Sequence, residues 1–487
     1  MAYRICFICA EYAPLAKTGG LADVSTALTR YLYGRGEDVR VFLPLYGALA
    51  ARGDLKLAAV DGLQELALEL GERRYRYRIL VGRVPGSPLP IYFVDCPELY
   101  DRPGIYTEDP DEHRRFLFLT RAAIECCQHL DFAPDILHCN DWHTAFGPLL
   151  LKTVYAKDRL FANTKSVLTM HNVGYQGVFA SVRVKDLGLG EAVTWLHQED
   201  LLAGRINALL HGILYADLVT TVSPTYAREI CTPAYGHGLE RYLQARGEQL
   251  VGILNGVDYA EWSPERDPYL PLHYSRHDLA AKATLKTRLC ERLGIEAGPR
   301  TLLFGFVSRL VAQKGIELLQ LALPEILRTR DCALAAIGSG DARYEAFFSE
   351  LALAFPGRVH FHRGYSEELA HWIEAGSDAF LMPSLYEPCG LNQMYSLRYG
   401  TVPIVRRTGG LADSVTLYSE TNPAGTGIVF DQFDGPAILW ALTTALDLHA
   451  QLPRWGELVA NGMAQDFSWD RQGALYLDEY RRLAGAR

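Results

Sequence analysis

The segment Lys17-Thr18-Gly19-Gly20-Leu21-Ala22-Asp23 follows the apolar run Ile5 to Ala10 and precedes residues with the apolar spacing of a helix. This order predicts a β-strand, a glycine-rich turn and an α-helix. Paired glycines let a ligand approach the backbone closely, and the amides at a helix start attract an anion. Because Lys17 adds a positive charge, the segment is a candidate phosphate-binding loop, with a plain strand-to-helix turn as the alternative.

A second copy of the segment, Arg407-Thr408-Gly409-Gly410-Leu411-Ala412-Asp413, follows another apolar run, Val402 to Val405. Neither copy has the glycine spacing of a dinucleotide fingerprint or a P-loop, so each alone is weak evidence for a phosphate site. Their repetition predicts two similar halves that each contribute one loop to a shared cleft.

Length and composition limit the class of protein. A chain of 487 residues exceeds what one core usually supports, so we expect two domains. The net charge of -9 argues against binding of nucleic acid or anionic membrane. No apolar run reaches the roughly 20 residues of a membrane span, and the start has no cleavage-site pattern. The cysteines lack the paired spacings of a zinc site or disulfide framework, so we expect a cytoplasmic enzyme with reduced thiols.

The first half, residues 1–258, alternates short apolar runs with amphipathic segments, which predicts a doubly wound α/β domain. Asp217 to Val222 is expected to be its last strand, and residues 65–100 an antiparallel insertion beside the main sheet. Residues 255–271 contain three prolines and are the expected linker. We expect a terminal helix within 470–487 to complete this domain.

The second half, residues 259–469, predicts a parallel sheet because five short apolar runs alternate with helical segments. The runs are Leu302 to Val307, Ala333 to Ile337, Val359 to His362, Ala379 to Met382 and Val402 to Val405. Ligands of open parallel sheets bind beyond the carboxyl ends of the strands. The expected fold is therefore α/β, with two facing Rossmann-like doubly wound domains and a ligand site in the deep cleft between them.

Two loops of the second half carry candidate ligand-binding residues. Arg309 and Lys314 lie five residues apart ahead of a helix, which suits a pyrophosphate, although solvated surface cations are an alternative. Glu387 lies between a proline and a glycine after a strand and can hold a ribose or sugar diol, although it could also cap a helix. Cys389 has no evident general base near it in sequence, so we interpret it as structural.

Two loops of the first half carry further polar candidates. His171 directly follows a strand and can hydrogen-bond a substrate hydroxyl without acting as a base, although a single histidine is more often structural. Around Asp141 and Trp142 lie two more histidines, but a third metal ligand of suitable type is lacking. Polar groups beside an aromatic ring fit a sugar better than a metal.

These motifs resemble, in the same order and over nearly the whole length, the bacterial glycogen synthase and plant starch synthase family. The resemblance rests on Lys17 to Val24, Asn140 to His143, His171-Asn172 with Tyr175 to Gly177, Thr221 to Glu229, Asn255 to Asp258, Ser308 to Leu310 with Gln313 to Gly315, Glu387 to Leu391 and Arg406 to Asp413. It implies a GT-B fold and transfer of glucose from ADP-glucose to glycogen or another α-1,4-glucan. It implies neither a cofactor nor a bound metal.

The resemblance also assigns roles to residues. Arg309 and Lys314 would hold the diphosphate and Glu387 the donor hydroxyls, as catalytic residues together with His171. His171 would bind the glucosyl unit, with its backbone carbonyl facing the reacting carbon. The remaining substrate-binding positions would be Lys17, Gly20 and Asp23 near the donor, Tyr365 by the adenine, and Asp141, Asn255, Cys389, Gly390, Leu391 and Thr408.

The resemblance also implies that the anomeric configuration is retained, and because no pair of carboxylates is evidently placed for a covalent intermediate, front-face substitution is favoured. The 4-hydroxyl of the glucan would then give its proton to the departing phosphate oxygen. Tyr395 occupies the position of a second glutamate that is common in the wider superfamily, as is usual in the synthase branch. Leu210 occupies a position where the family commonly has lysine, which leaves the acceptor side or domain closure open.

Several alternatives remain open at the level of sequence. They are another retaining nucleotide-sugar transferase of the same architecture, a phosphorylase or epimerase relative, and a non-catalytic glucan-binding protein. The sequence also leaves open the preference for ADP-glucose over UDP-glucose.

Overall fold

The computed structural model describes residues 2–84 and 86–485. The chain forms two compact units. Unit 1 comprises the described residues of Met1–Val222, Ala227–Gly256 and Trp469–Arg487, and unit 2 comprises Ser223–Tyr226 and Val257–Ser468. Each unit contains a largely parallel sheet with helices between its strands, which confirms the predicted fold class of two Rossmann-like α/β domains.

Unit 1 is built around a long sheet. The strands of the unit are β1 (Arg4–Ile8), β2 (Asp38–Pro44), β3 (Ala58–Ala59), β4 (Leu66–Leu70), β5 (Arg73–Gly82), β6 (Ile91–Asp95), β7 (Ile136–Asn140), β8 (Lys165–Met170), β9 (Val178–Ala180), β10 (Arg205–Asn207), β11 (Leu218–Thr221) and β12 (Leu250–Gly252). β9 and β10 form a separate antiparallel pair. The main sheet has the order β12-β11-β8-β7-β1-β2-β6-β5-β3, and β4 pairs with β5. All pairs from β12 to β6 are parallel. Ile5 to Ile8 in the central strand β1 are fully buried, as expected of a strand covered on both faces.

Helices cover this sheet and connect its parallel strands. Those before Val257 are α1 (Gly20–Gly34), α2 (Gly47–Ala50), α3 (Pro97–Tyr100), α4 (Glu112–His129), α5 (Asp141–Thr144), α6 (Gly147–Lys152), α7 (Gln198–Leu202), α8 (Ala208–Tyr215), α9 (Pro224–Glu229) and α10 (Glu240–Arg246). The predicted order of strand, glycine turn and helix is present, because β1 ends at Ile8 and α1 begins at Gly20.

Two expectations for the first half need correction. β4 and β5 are an antiparallel hairpin, but they extend the main sheet rather than lying beside it, because β6 pairs with β5 antiparallel and with β2 parallel. The strand within Asp217 to Val222 is not the last one, because β12 follows it and pairs with it. β12 has only three residues, Leu-Val-Gly, which is too short an apolar run to indicate a strand.

Unit 2 contains a fully parallel sheet. Its strands are β13 (Leu302–Leu310), β14 (Cys332–Gly340), β15 (Val359–Arg363), β16 (Ala379–Met382), β17 (Val402–Arg406) and β18 (Ile428–Phe430), in the order β15-β14-β13-β16-β17-β18. Its helices are α11 (Ala280–Leu293), α12 (Ile316–Thr329), α13 (Ala342–Ala354), α14 (Glu367–Gly376), α15 (Asn392–Tyr399), α16 (Gly409–Ser414), α17 (Gly435–His449) and α18 (Leu452–Met463).

All five predicted strands of this half are confirmed, and two features differ. β18, another three-residue strand, was not predicted from the sequence. Arg309, which was predicted to lie in a loop, is part of a strand, because β13 continues to Leu310 and pairs with β14 as far as Gly340. A backbone ladder does not require apolar side chains, so the apolar run ended before the strand did.

The terminal helix α19 (Trp469–Ala484) packs against α1 in unit 1. Gly473 makes the close approach possible, because a Cβ there would lie 2.3 Å from the ring of Tyr31. Tyr480 is fully buried, and its hydroxyl lies 2.5 Å from Nδ1 of His138 in β7. Burial lowers the pKa of His138 to about 3, so the ring is neutral, and its Nε2 lies 2.6 Å from the Thr169 hydroxyl. Both ring nitrogens are therefore hydrogen-bonded.

No helix in the described part of the chain is long and apolar enough to cross a membrane.

We predict that Tyr480→Phe lowers the free energy of unfolding by about 1 to 3 kcal/mol, because it leaves a buried imidazole nitrogen without its partner. Denaturant unfolding of the full chain measures the change. Tyr269→Phe is the matched control, since that ring is 39% exposed and loss of its hydroxyl should cost little. Equal effects of the two substitutions would contradict the role given to the Tyr480–His138 bond.

Candidate active site

The strand order of unit 2 determines where a ligand can bind. The order reverses between β13 and β16, so the segments that follow these two strands leave the sheet on opposite sides of a crevice. The segment after β13 leads through a short 3-10 turn, Ala312–Lys314, into α12. The segment after β16 carries Glu387 and leads into α15. Topology therefore brings Lys314 and Glu387 to the same edge of the sheet.

Lys314 and Glu387 are in direct contact. The Lys314 ammonium donates to Glu387 Oε2 at 2.7 Å, and the side chains are 19% and 6% exposed. The Ser384 hydroxyl donates to the same oxygen at 3.0 Å. Glu387 is thus a buried, paired carboxylate rather than a helix cap. An ammonium has three N–H donors, so Lys314 can hold Glu387 and still bind an anion.

Glycines bring three backbone segments together around Glu387. Gly315 has a φ of +67°, and a Cβ on it would lie 2.0 Å from the carbonyl oxygen of Pro383. In the second glycine loop, a Cβ on Gly409 would lie 1.9 Å from the carbonyl oxygen of Glu387, and one on Gly410 2.1 Å from that of Cys389. Only residues without a Cβ allow these contacts, so the turn at Gly315 and the second glycine loop are both part of the site.

The other candidates of unit 2 lie along the same strand ends. Arg309 is exposed at the end of β13, and Thr408 is buried directly before α16. Tyr365 follows β15, is 63% exposed, and donates its hydroxyl to Glu367. The structure places the remaining three in the turn between Glu387 and α15: buried Cys389, Gly390 with a φ of +71°, and part-buried Leu391.

Unit 1 has the same kind of reversal, between β1 and β7. The segment after β1 carries Glu11 and the first glycine loop, and the segment after β7 carries Asp141. The Lys17 ammonium lies 2.8 Å from Asp23 Oδ1, and Gly20 is the exposed first residue of α1.

A buried carboxylate occupies the amides of the first glycine loop. Glu11 is 3% exposed, and its Oε2 accepts hydrogen bonds from the backbone N–H groups of Thr18 at 2.6 Å and Gly19 at 3.1 Å. Its Oε1 accepts from the hydroxyls of Thr18 at 2.8 Å and Tyr106 at 2.6 Å. The amides that the sequence analysis offered to a phosphate therefore hold a side chain of the same unit.

Asp141 and His171 are also joined. Asp141 has a φ of +52°, which aspartate tolerates, and its Oδ1 accepts from the His171 backbone N–H at 2.7 Å. Burial raises the pKa of Asp141 to about 7, against the opposing effect of the amides of His171 and Asn172. Burial lowers the pKa of His171 to about 3, so its ring is neutral, and its Nε2 lies 3.1 Å from Asn140 Oδ1.

The surroundings of this pair are tightly packed. Trp142 contacts Phe116 edge to face, and a Cβ on Gly177 would lie 2.2 Å from the indole ring. The buried His143 stacks on Tyr106, with ring centroids 4.9 Å apart. Elsewhere in unit 1, Asn255 lies in the segment that follows β12; it is 5% exposed, and its Oδ1 has no hydrogen-bond partner in the described part of the chain.

The structure adds residues that the sequence analysis did not name. Glu11 is a carboxylate just beyond the end of β1, and Tyr106 reaches it from a loop that no motif marked. Ser384 lies within the Glu387 loop. The position of Glu11 after a strand was a usable signal, whereas the contact with Tyr106 was not visible in sequence.

No group of three or more metal-ligating side chains occurs within residues 2–84 and 86–485.

Comparisons with known proteins assign the family. A family model described as the starch synthase catalytic domain matches residues 4–245, and one described as glycosyl transferases group 1 matches residues 292–459. The chain is 44% identical to a glycogen synthase of Anaeromyxobacter dehalogenans strain 2CP-1 over 490 residues, covering 99% of this chain and 100% of the relative. It is 42% identical to glycogen synthase 1 of Geobacter sulfurreducens over 489 residues, covering 98% and 96%.

A solved structure supports the same assignment. The catalytic domain of starch synthase IV from Arabidopsis thaliana, bound to ADP and acarbose, matches with a TM-score of 0.90 and 34% identity over 99% of this chain and 100% of that one. The chain therefore belongs to the family of glycogen synthases and starch synthases, which are glucosyltransferases.

Proposed function

We propose that this protein transfers glucose from ADP-glucose to the non-reducing 4-hydroxyl of an α-1,4-glucan such as glycogen, with retention of configuration. The observation that carries the donor assignment is the ADP bound to the starch synthase IV relative, whose fold matches along nearly the whole chain. The relatives named glycogen synthase support the acceptor.

The diphosphate would bind at the strand ends of unit 2. Arg309 at the end of β13, Lys314 in the next turn and the amino end of α12 all favour negative charge there. As the bond to glucose breaks, charge builds on the outer phosphate, and fixed cations stabilise it without reorganising. Glu387 would accept hydrogen bonds from the donor sugar, while its contact with Lys314 keeps both groups aligned.

The glucan hydroxyl would attack from the face that the diphosphate leaves, and its proton would pass to the departing phosphate oxygen. His171 is suited to bind the glucosyl unit because a neutral imidazole can donate and accept hydrogen bonds. Its low pKa makes it a poor base. Asp141 would position His171 through the hydrogen bond that it accepts from the His171 backbone N–H.

The function is tested by following labelled glucose from ADP-glucose into glycogen, with UDP-glucose in a parallel assay. We expect transfer from ADP-glucose at a rate that excess chelator does not change, because Arg309 and Lys314 supply the positive charge. Absence of transfer from ADP-glucose would refute the proposed function. A rate lost with chelator and restored by magnesium or manganese would refute its metal-free form.

Lys314→Ala should lower kcat by about 10² to 10³, or roughly 3 to 4 kcal/mol, because one fixed cation facing transition-state charge is lost. Lys314→Arg should recover only part of the rate. Lys152→Ala is the control, since Lys152 also pairs with a carboxylate, 3.3 Å away at Asp217, but on the surface of unit 1. A Lys314→Ala enzyme altered only in its KM for glycogen would show that the diphosphate role is wrong.

The pH dependence should report Asp141. Because burial raises the pKa of Asp141 to about 7, the ratio of ionised to protonated carboxyl falls about tenfold for each unit by which the pH is lowered. The ionised carboxylate is the stronger acceptor for the His171 N–H, so kcat/KM should rise with pH through about 7. Asp141→Asn should be less active and lack this rise. Profiles of kcat/KM between about pH 5.5 and 8.5 test this, and an unchanged rise in the variant would assign it to another group.

A further inference from the structure

The backbone of the Glu387 loop is held from outside at every carbonyl from Leu385 to Gly390. The Leu385 carbonyl accepts a hydrogen bond from Arg406 Nη1, and the Tyr386 carbonyl accepts one from Gln313 Nε2. The Gly410 N–H donates to the carbonyls of both Glu387 and Pro388, and the Ser223 hydroxyl also donates to that of Pro388. Gln393 Nε2 donates to the carbonyls of Cys389 and Gly390. Loops usually leave such groups to water. Complete pairing indicates a loop that is fixed before any ligand binds.

Gln393 closes one side of this arrangement. It is fully buried at the start of α15, and its Nε2 lies 3.0 Å from the carbonyl oxygens of Cys389 and Gly390 and from the Ser414 hydroxyl. Ser414 in turn donates to the carbonyl of Gly410, whose N–H holds the carbonyl of Glu387. One amide group therefore connects the Glu387 loop to the second glycine loop.

Gln313 closes the other side. Its side-chain Nε2 donates to the carbonyl of Tyr386 at 3.2 Å, and its backbone carbonyl accepts from the Leu385 N–H at 2.8 Å. Gln313 directly precedes Lys314, so this pair of bonds sets the position of the ammonium relative to Glu387. The two glutamines thus hold the loop before and after the carboxylate.

We propose that Gln313 and Gln393 are positioning residues for glucosyl transfer, which fix Glu387 and Lys314 at the separation that the reaction needs. The inference rests on the proposed function for its kinetic consequence, and on the contacts above for the geometry. Neither glutamine needs to touch substrate. A displacement of about 1 Å in a catalytic group can cost about 100-fold in rate, so the effect of losing them should be measurable.

The test uses Gln313→Met and Gln393→Met in the full chain, because methionine has a similar length and no donor. Gln393 Oε1 has no hydrogen-bond partner in the described residues, so this substitution removes donor bonds only. Asn461→Leu is the matched control. Asn461 Nδ2 also donates to two backbone carbonyls of unit 2, at Pro423 and Gly425, in a different loop.

We expect both methionine variants to lose about 10- to 100-fold in kcat with ADP-glucose, with little change in KM for glycogen. Hydrogen exchange of the amides between 385 and 391 should be faster in both. Asn461→Leu should keep the wild-type kcat and the wild-type protection of that loop, even if its melting temperature falls as far as those of the methionine variants. Methionine variants with the same kcat and the same loop exchange as Asn461→Leu would overturn the proposal.

Two measurements distinguish failure of this proposal from failure of the proposed function, because hydrogen exchange and calorimetric binding of ADP need no turnover. A wild-type protein that fails to transfer glucose would refute the function, and the effect of the glutamines on the Glu387 loop could still be tested by hydrogen exchange. If Gln393→Met does not fold, the part-buried Gln313 decides alone: unchanged loop exchange in Gln313→Met would refute the proposal.

Discussion

The site of unit 2 depends on backbone lying directly against backbone. Gly409 and Gly410 approach the carbonyls of Glu387 and Cys389 so closely that a Cβ on either would overlap an oxygen, and Gly315 does the same at Pro383. These contacts bring three loops from three strand ends to one place. Any side chain there would separate the loops and move Glu387 away from Lys314, which are 2.7 Å apart.

The two glycine loops have similar sequences and similar places after a strand, yet they bind different groups. In unit 1, the amides of Thr18 and Gly19 hold the side chain of Glu11. In unit 2, the Gly410 amide holds the main chain of the Glu387 loop. In both units the loop fixes a segment that carries a glutamate at the switch point of a parallel sheet. The repeated sequence therefore marks equivalent positions in the two folds. The group that each loop binds depends on which protein segment its own fold places beside it.

Charge is balanced within each unit by the protein itself. In unit 1 Lys17 pairs with Asp23 and burial keeps His171 neutral, and in unit 2 Lys314 pairs with Glu387. Paired cations remain in place because their carboxylate partners hold them. An ammonium has three N–H donors, so one that donates to a carboxylate can still bind a phosphate. In the proposed reaction, these cations would stabilise the leaving diphosphate without first having to move into place.

Sequence by itself determined the fold class and most of the candidate site, because alternating apolar runs specify parallel strands and ligands gather at their carboxyl ends. It identified Lys314, Glu387, Asp141 and His171 as residues on such ends. It missed β12 and β18, whose three residues are held by neighbouring strands rather than by a pattern of their own. Only the tertiary structure decided which groups meet: the carboxylate on the first glycine loop, the raised pKa of Asp141 and the glutamines around the Glu387 loop. These depend on burial and on contacts between segments far apart in the chain, which local spacing does not encode.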